Sequence, residues 1–190
     1  MNPLIQKYVE FTKRWEGGLS RDTADSASKY PCPTPFLGKS GYHTNVGITY
    51  KVWVSVFGKN NDTRFYAMSA DDWFNVFKTL YWNSMRGDEF KSMNVAIISV
   101  GMAWGSGKKP AVKLLQKAIV KCGVNITVDG ILGNGTMNAA NSIEPVKLFD
   151  AIIAEREAFF KYIGRPGVPN NKFLKGWLNR LADYKKTFRP

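Results

Sequence analysis

The sequence predicts a mainly α-helical protein with a long irregular loop after its first helix. Three observations predict it. Apolar residues recur at helical spacing through most of the chain, and no segment alternates as a confident strand. Residues 17 to 47 are instead rich in Ser, Gly and Pro, and their tip, Tyr30-Pro31-Cys32-Pro33-Thr34-Pro35, cannot be regular helix.

The elements follow in order. Leu4, Ile5, Tyr8, Phe11 and Trp15 share one face of a helix over Pro3 to Trp15, stopped by Gly17-Gly18. The loop after it is long enough to be functional, with room for a short hairpin within residues 38–49. A short helix fits Ile48 to Phe57. Ser69-Ala70-Asp71-Asp72 reads as a capping-box start, with Asp in the fourth place, leading into Trp73 to Trp82. Phe90 to Trp104 is apolar and small-residue-rich, as a buried central helix would be. Pro110 opens another, with Val112, Leu115 and Ile119 inward and Lys109, Lys113, Lys117 and Lys121 recurring on the other side. That basic stripe reads as a solvated face or as a track for a polyanion. Val128 to Gly133 (VDGILG) reads as an Asp/Gly turn before a helix. Pro145 to Ile163 is amphipathic, Gly164 and Pro166 break it, and Lys172 to Phe188 resumes the pattern. Arg156, within that helix, is expected to pair with an acid.

The 190 residues suit one domain or a main domain with an appendage. The split expected is 1–105 and 106–190, packed as one unit. Lys and Arg outnumber Asp and Glu by 27 to 15, a net charge of +12. Residues 1–95 hold 12 basic and 9 acidic groups, and residues 96–190 hold 15 and 6. An anionic partner follows: nucleic acid, acidic lipid or an anionic cell wall. No groove-reading motif supports nucleic acid, and no apolar run supports membrane insertion. The N-terminal residues lack an apolar signal core, so synthesis in the cytoplasm followed by release or non-classical export is expected. Cys32 and Cys122 are too few for a disulfide framework; two free thiols or one bridge remain. His43 is the only histidine, which excludes most zinc chemistry, and no cofactor motif is present.

One constellation carries chemistry. Glu16 closes the first helix, where the negative end of the helix dipole and the apolar Trp15 favour its protonated form. Asp22 and Asp25 follow, eight residues separating Glu16 from Asp25 with the glycine pair between them. Two carboxylates across a cleft suit glycosidic hydrolysis: one donates a proton to the leaving oxygen, and the other holds water or stabilises the oxocarbenium-like transition state. A hydroxyl such as that of Thr44 would help position the water. Tyr81 and Trp82 are the candidates for stacking on a sugar ring, with core packing the alternative for one of them.

Glu16-Gly17-Gly18, Asp22, Asp25 and Thr44-Asn45-Val46-Gly47-Ile48-Thr49 occur in the order E-G-G…D…D…T-N-x-G-I-T. Tyr81 to Asp88, Leu114-Leu115-Gln116, Val128 to Gly133 with Thr136, and Gly176 to Arg180 continue the series. It resembles the lysozyme-like N-acetylmuramidases of glycoside hydrolase family 108, often phage endolysins, with a C-terminal peptidoglycan-binding region. The resemblance implies a lysozyme-type helical fold that cleaves the MurNAc–GlcNAc backbone of peptidoglycan as a monomer. It assigns the essential acid to Glu16, water orientation to Asp25 and Thr44, and substrate contacts to Asn45, Tyr81 and Trp82. Residues 27 to 39 stand as an insertion, Ser40 replaces a usual Gly, and Gly101 to Gly107 lacks the polar residues common there. These departures leave a non-catalytic, wall-binding or secretion-associated protein as the competing expectation.

Overall fold

In the computed structural model, which describes residues 2–20, 26–30 and 42–190, the chain divides into two compact units, Met1–Leu80 and Tyr81–Pro190. Nine α-helices and one two-stranded antiparallel hairpin lie among the described residues, a mainly α, lysozyme-like fold. The expected long segment after the first helix falls largely outside them.

In the first unit, α1 (Pro3–Glu16) starts at Asn2, whose side chain accepts from Leu4 N, with Pro3 in the first turn where its missing N–H costs nothing. It ends at Gly17, with φ 72° and ψ −160°, a backbone region essentially reserved for glycine. The hairpin follows, β1 (Thr44–Asn45) and β2 (Ile48–Thr49), with Thr44 opposite Thr49 and Asn45 opposite Ile48. Thr49 then serves as N-cap of α2 (Tyr50–Phe57), its hydroxyl accepting from Val52 N at 3.2 Å. α3 (Asp62–Tyr66) and α4 (Ala70–Phe77) complete the unit. The capping box expected at Ser69 is present in both directions: Asp72 N donates to Ser69 Oγ at 3.1 Å, and Ser69 N donates to Asp72 Oδ2 at 3.2 Å.

The core here is aromatic. Tyr8 of α1 meets Trp73 edge-on at 6.1 Å and Phe77 at 5.2 Å, and Trp53 of α2 packs against Phe57 at 4.2 Å and Phe65 at 5.7 Å. Tyr8, Trp53, Phe65, Trp73 and Phe77 are all fully buried. Rings of this size dominate the apolar area a small unit can remove from water.

Past α4, a π-type turn over Lys78–Trp82 breaks the 3.6-residue period. In the second unit, α5 (Met93–Ser106) is apolar all round and buried from Val95 through Ala103, as a helix without a polar stripe must be. It packs on α6 (Lys108–Lys121) and α8 (Pro145–Ile163), which also pack on each other. α7 (Asn134–Ser142) and α9 (Leu174–Phe188) lie against this trio. The inner face expected for α6, Val112, Leu115 and Ile119, is fully buried. Its lysines, Lys109, Lys113, Lys117 and Lys121, are all exposed, and Lys121 also pairs with the buried Glu155 of α8. The stems of Lys109 and Lys113 lie across Gly130, 3.1 to 3.3 Å from where a Cβ would stand.

Arg156 is buried, donates to Ile98 O at 3.3 Å and lies over the Tyr184 ring at 5.2 Å. Cys122 is a free thiol held up in pKa by burial, while Cys32 lies outside the described residues. No helix among those described is long and apolar enough to cross a membrane.

Candidate active site

Two pieces of chain build the site in the first unit: the C-terminus of α1 and the hairpin. After Gly17 the chain runs antiparallel to β1. Ser20 N donates to Thr44 O at 2.8 Å, Val46 N donates to Gly18 O at 3.2 Å, and Leu19 bridges to Asn45. The Gly-Gly step thus releases the helix and lays the next residues along β1, paired through a single isolated bridge.

The hairpin turns through Val46 and Gly47, with φ of 48° and 76°. Positive φ at both central residues is the twist-matched turn of tight hairpins, but a β-branched residue rarely adopts it. Two hydrogen bonds hold Val46 there: its N–H goes to Gly18, and its carbonyl accepts from Trp73 Nε1 at 3.1 Å. The turn is therefore fixed from the α1 exit on one side and from the α4 core on the other.

Gly47 is the residue that Glu16 leans on. A Cβ at Gly47 would lie 2.9 Å from Glu16 Oε2 and 3.1 Å from its Cγ and Cδ. The half-buried carboxylate of Glu16 rests against bare backbone at the tip of the turn, at the negative end of α1. The spacing of the motifs does not reveal this contact. Its signal is the glycine in T-N-V-G-I-T, which satisfies both the positive φ and the approach of the acid.

The hairpin also separates the two polar residues named from the motif. Successive strand residues face opposite ways, and Asn45 and Ile48 take the buried face, 6% and 1% exposed. Asn45 is therefore not a substrate contact here. Its amide donates to Phe65 O at 2.7 Å and Tyr66 O at 3.4 Å, tying the hairpin to α3. Thr44 lies on the opposite, half-exposed face together with Thr49, whose hydroxyl is occupied as the α2 cap. His43 is buried with Nδ1 unpartnered, and its carbonyl accepts from Tyr50 N at 2.6 Å. Asp22 and Asp25 lie outside the described residues.

Tyr81 and Trp82 belong to the second unit and differ sharply from each other. Trp82 is 1% exposed, donates from Nε1 to Asp88 at 2.8 Å, and has Gly87 so close that a Cβ there would fall 2.3 Å from the indole. It has no face to offer a sugar, which corrects its reading as a stacking residue. Tyr81 is half-buried, edge-on to Trp104 at 5.1 Å, and burial pushes its phenol above the usual range.

The VDGILG turn is a rigid structural joint. Gln116, 1% exposed, accepts from Gly130 N at 2.8 Å and donates to Asp129 Oδ1 at 2.8 Å and Ile131 O at 3.1 Å. The Ile131 N–H, then the Gln116 amide, hold the Asp129 carboxyl below its usual range.

The site thus sets a helix-terminal glutamate against a glycine hairpin within a mainly α, lysozyme-like fold. The family model "Glycosyl hydrolase 108" matches residues 9–107, and the model "Predicted Peptidoglycan domain" matches residues 110–182. The chain belongs to the glycosyl hydrolase 108 family, and the two matches together give it a peptidoglycan-degrading role. A solved structure of Brucella abortus SagA shares the fold at a TM-score of 0.68 and 23% identity, over 98% of this chain and 94% of that one. No curated protein matches the sequence.

Proposed function

We propose that the protein is an N-acetylmuramidase, hydrolysing the MurNAc–GlcNAc bonds of peptidoglycan with Glu16 as general acid. The observation that carries the reading is the contact between the Glu16 carboxylate and Gly47 at the end of α1. A general acid must hold its proton and stand within reach of the leaving oxygen. A turn without a side chain at Gly47 leaves the space that the Glu16 carboxylate takes at the end of α1.

In this scheme Glu16 protonates the glycosidic oxygen as the bond to the anomeric carbon breaks. Asp25 and Thr44 orient the water that attacks that carbon. The net charge of +12 draws the chain to an anionic wall. The protein then works on the wall after leaving the cytoplasm.

The test compares wild type with Glu16→Gln on purified cell walls, following loss of turbidity and the masses of the soluble fragments. Expected are reducing-end MurNAc products from wild type and a loss of about 10³-fold or more in the variant, the scale of removing a proton donor. Equal clearing by both refutes Glu16 as the acid. Fragments cut at the peptide or at GlcNAc reducing ends refute the muramidase assignment.

A further inference from the structure

Lys51 stands in the first turn of α2, the positive end of the helix, where a cation is disfavoured, and that turn holds no acid. Its ammonium goes instead to a residue of the long loop. Lys51 Nζ donates to the Tyr30 hydroxyl at 2.7 Å and lies 4.7 Å from the centroid of the same ring. One cation thus meets the phenol twice, by hydrogen bond and by its π-system. Tyr30 follows a 3-10 turn over Ser26–Lys29, and its N–H donates back to Ala27 O at 3.1 Å. Ala27 is buried while Lys29 and Tyr30 are exposed, so the turn is seated from beneath and held at its far end.

Both ends of this contact lead to residues of the candidate site. α2 grows straight out of the hairpin, since Thr49 ends β2 and caps the helix. Lys51 is four residues beyond Gly47, on which Glu16 leans, so its Cα lies within about 14 Å of the Gly47 Cα. On the other side, Ser26 directly follows Asp25. Asp25 lies outside the described residues, but one trans peptide keeps its Cα about 3.8 Å from that of Ser26.

We infer that Tyr30 and Lys51 are positioning residues, a brace that holds the segment bearing Asp25 against the helix continuing from the hairpin. The inference rests on the role given to Asp25 under Proposed function. An exposed hydrogen bond and ring contact contribute little to global stability. Their effect is local: pinning Tyr30 to α2 restricts the 3-10 turn and, one peptide upstream, the backbone of Asp25. Misplacing a catalytic group by 1 Å costs on the order of 10²-fold in rate, so a contact too weak to decide folding is strong enough to decide turnover. Tyr30 belongs to the inserted residues 27 to 39, so the insertion itself supplies the brace.

The test is a double-mutant cycle on the full chain, following release of soluble muropeptides over a range of cell-wall concentrations. Lys51→Met and Tyr30→Ala each lower the rate at saturating wall about tenfold. The half-saturating concentration and the urea midpoint stay near those of wild type. Lys51→Arg, which keeps a donor and a cation for the ring, restores the rate. Lys51→Met/Tyr30→Ala loses no more than either single variant, as two residues acting as one unit do. In Asp25→Ala, whose residual rate sets the baseline, Lys51→Met costs nothing further. Amide exchange at Tyr30 speeds in Lys51→Met, and unchanged exchange there overturns the brace whatever the rates. Lys51→Met as fast as wild type, with Asp25→Ala impaired, overturns the inference alone. A tenfold loss that persists in Asp25→Ala also overturns it, and with a raised half-saturating concentration it assigns the pair to direct contact with the wall. Asp25→Ala as fast as wild type overturns the role of Asp25 and the brace with it.

Discussion

Replacing Gly47 by alanine tests the site at its narrowest point, and the structure supplies its own control. At Gly47 two penalties coincide. The residue has φ of 76°, which costs an L side chain about 1–2 kcal/mol. Its new Cβ would also stand 2.9 Å from Glu16 Oε2 and 3.1 Å from Cγ and Cδ, so the carboxylate must give way by a few tenths of an ångström. Gly58 has the same φ of 76°, extends to ψ 176°, and has nothing within 4 Å of where a Cβ would lie. Gly58→Ala therefore loses at least as much stability, about 1–3 kcal/mol for so restricted a backbone region, without touching Glu16. Urea unfolding followed by tryptophan fluorescence, with wall clearing measured well below each midpoint, separates the two effects. Both variants lose stability. Only Gly47→Ala loses turnover, by about tenfold, since misplacement of a catalytic group by 1 Å costs on the order of 10²-fold and the shift here is smaller. If Gly47→Ala clears walls as fast as Gly58→Ala, the contact between Glu16 and the turn has no part in catalysis.

Three further outcomes follow from the packing. The Asp72 carboxyl is pushed up by burial, but hydrogen bonds from Arg64 and Ser69 outweigh this and hold it below the usual range. Its stabilising effect is fully present above about pH 4 and lost as pH falls through the folded value, so Asp72→Asn flattens the acid limb of unfolding midpoints measured between about pH 6 and about pH 2. Gln116→Ala strips Gly130 N–H of its acceptor and Asp129 of a donor. It costs about 1–3 kcal/mol and speeds amide exchange at Gly130; unchanged exchange there refutes the joint. Trp82→Ala costs about 3–5 kcal/mol, as for other large buried rings, and a variant that keeps its stability while losing wall affinity would restore the stacking reading.

Much of the fold is local and therefore readable. Gly17 stops α1, Ser69 and Asp72 cap α4, and the uniformly apolar run in α5 leaves no alternative to burial. What escaped the periodicity is long-range or off-period. Tyr81 and Trp82 looked alike because the π-type turn over Lys78–Trp82 abolishes the phase that tells an inward ring from an outward one. The partners of the exposed α6 lysines, Glu155 for Lys121 and Gly130 under the stems of Lys109 and Lys113, come from later in the chain and no local pattern names them. Asn45 was legible in principle: in a two-residue strand one of Thr44 and Asn45 must face inward, and the amide, with two donors to satisfy, is the one that found backbone carbonyls there.

The candidate site follows a single logic that neither motif states alone. An acid at a helix end is a poor choice for the helix, and a β-branched residue in the left-handed region is a poor choice for a turn. The Val46 turn is pinned by Gly18, the residue that carries the chain away from Glu16, and by Trp73 from the core that seats α1. That pinning sets Gly47 directly beneath the carboxylate. Local rules broken at adjoining positions are what the proposed catalytic role of Glu16 would account for. Glu16 and Gly47 are therefore the pair on which the catalytic reading stands.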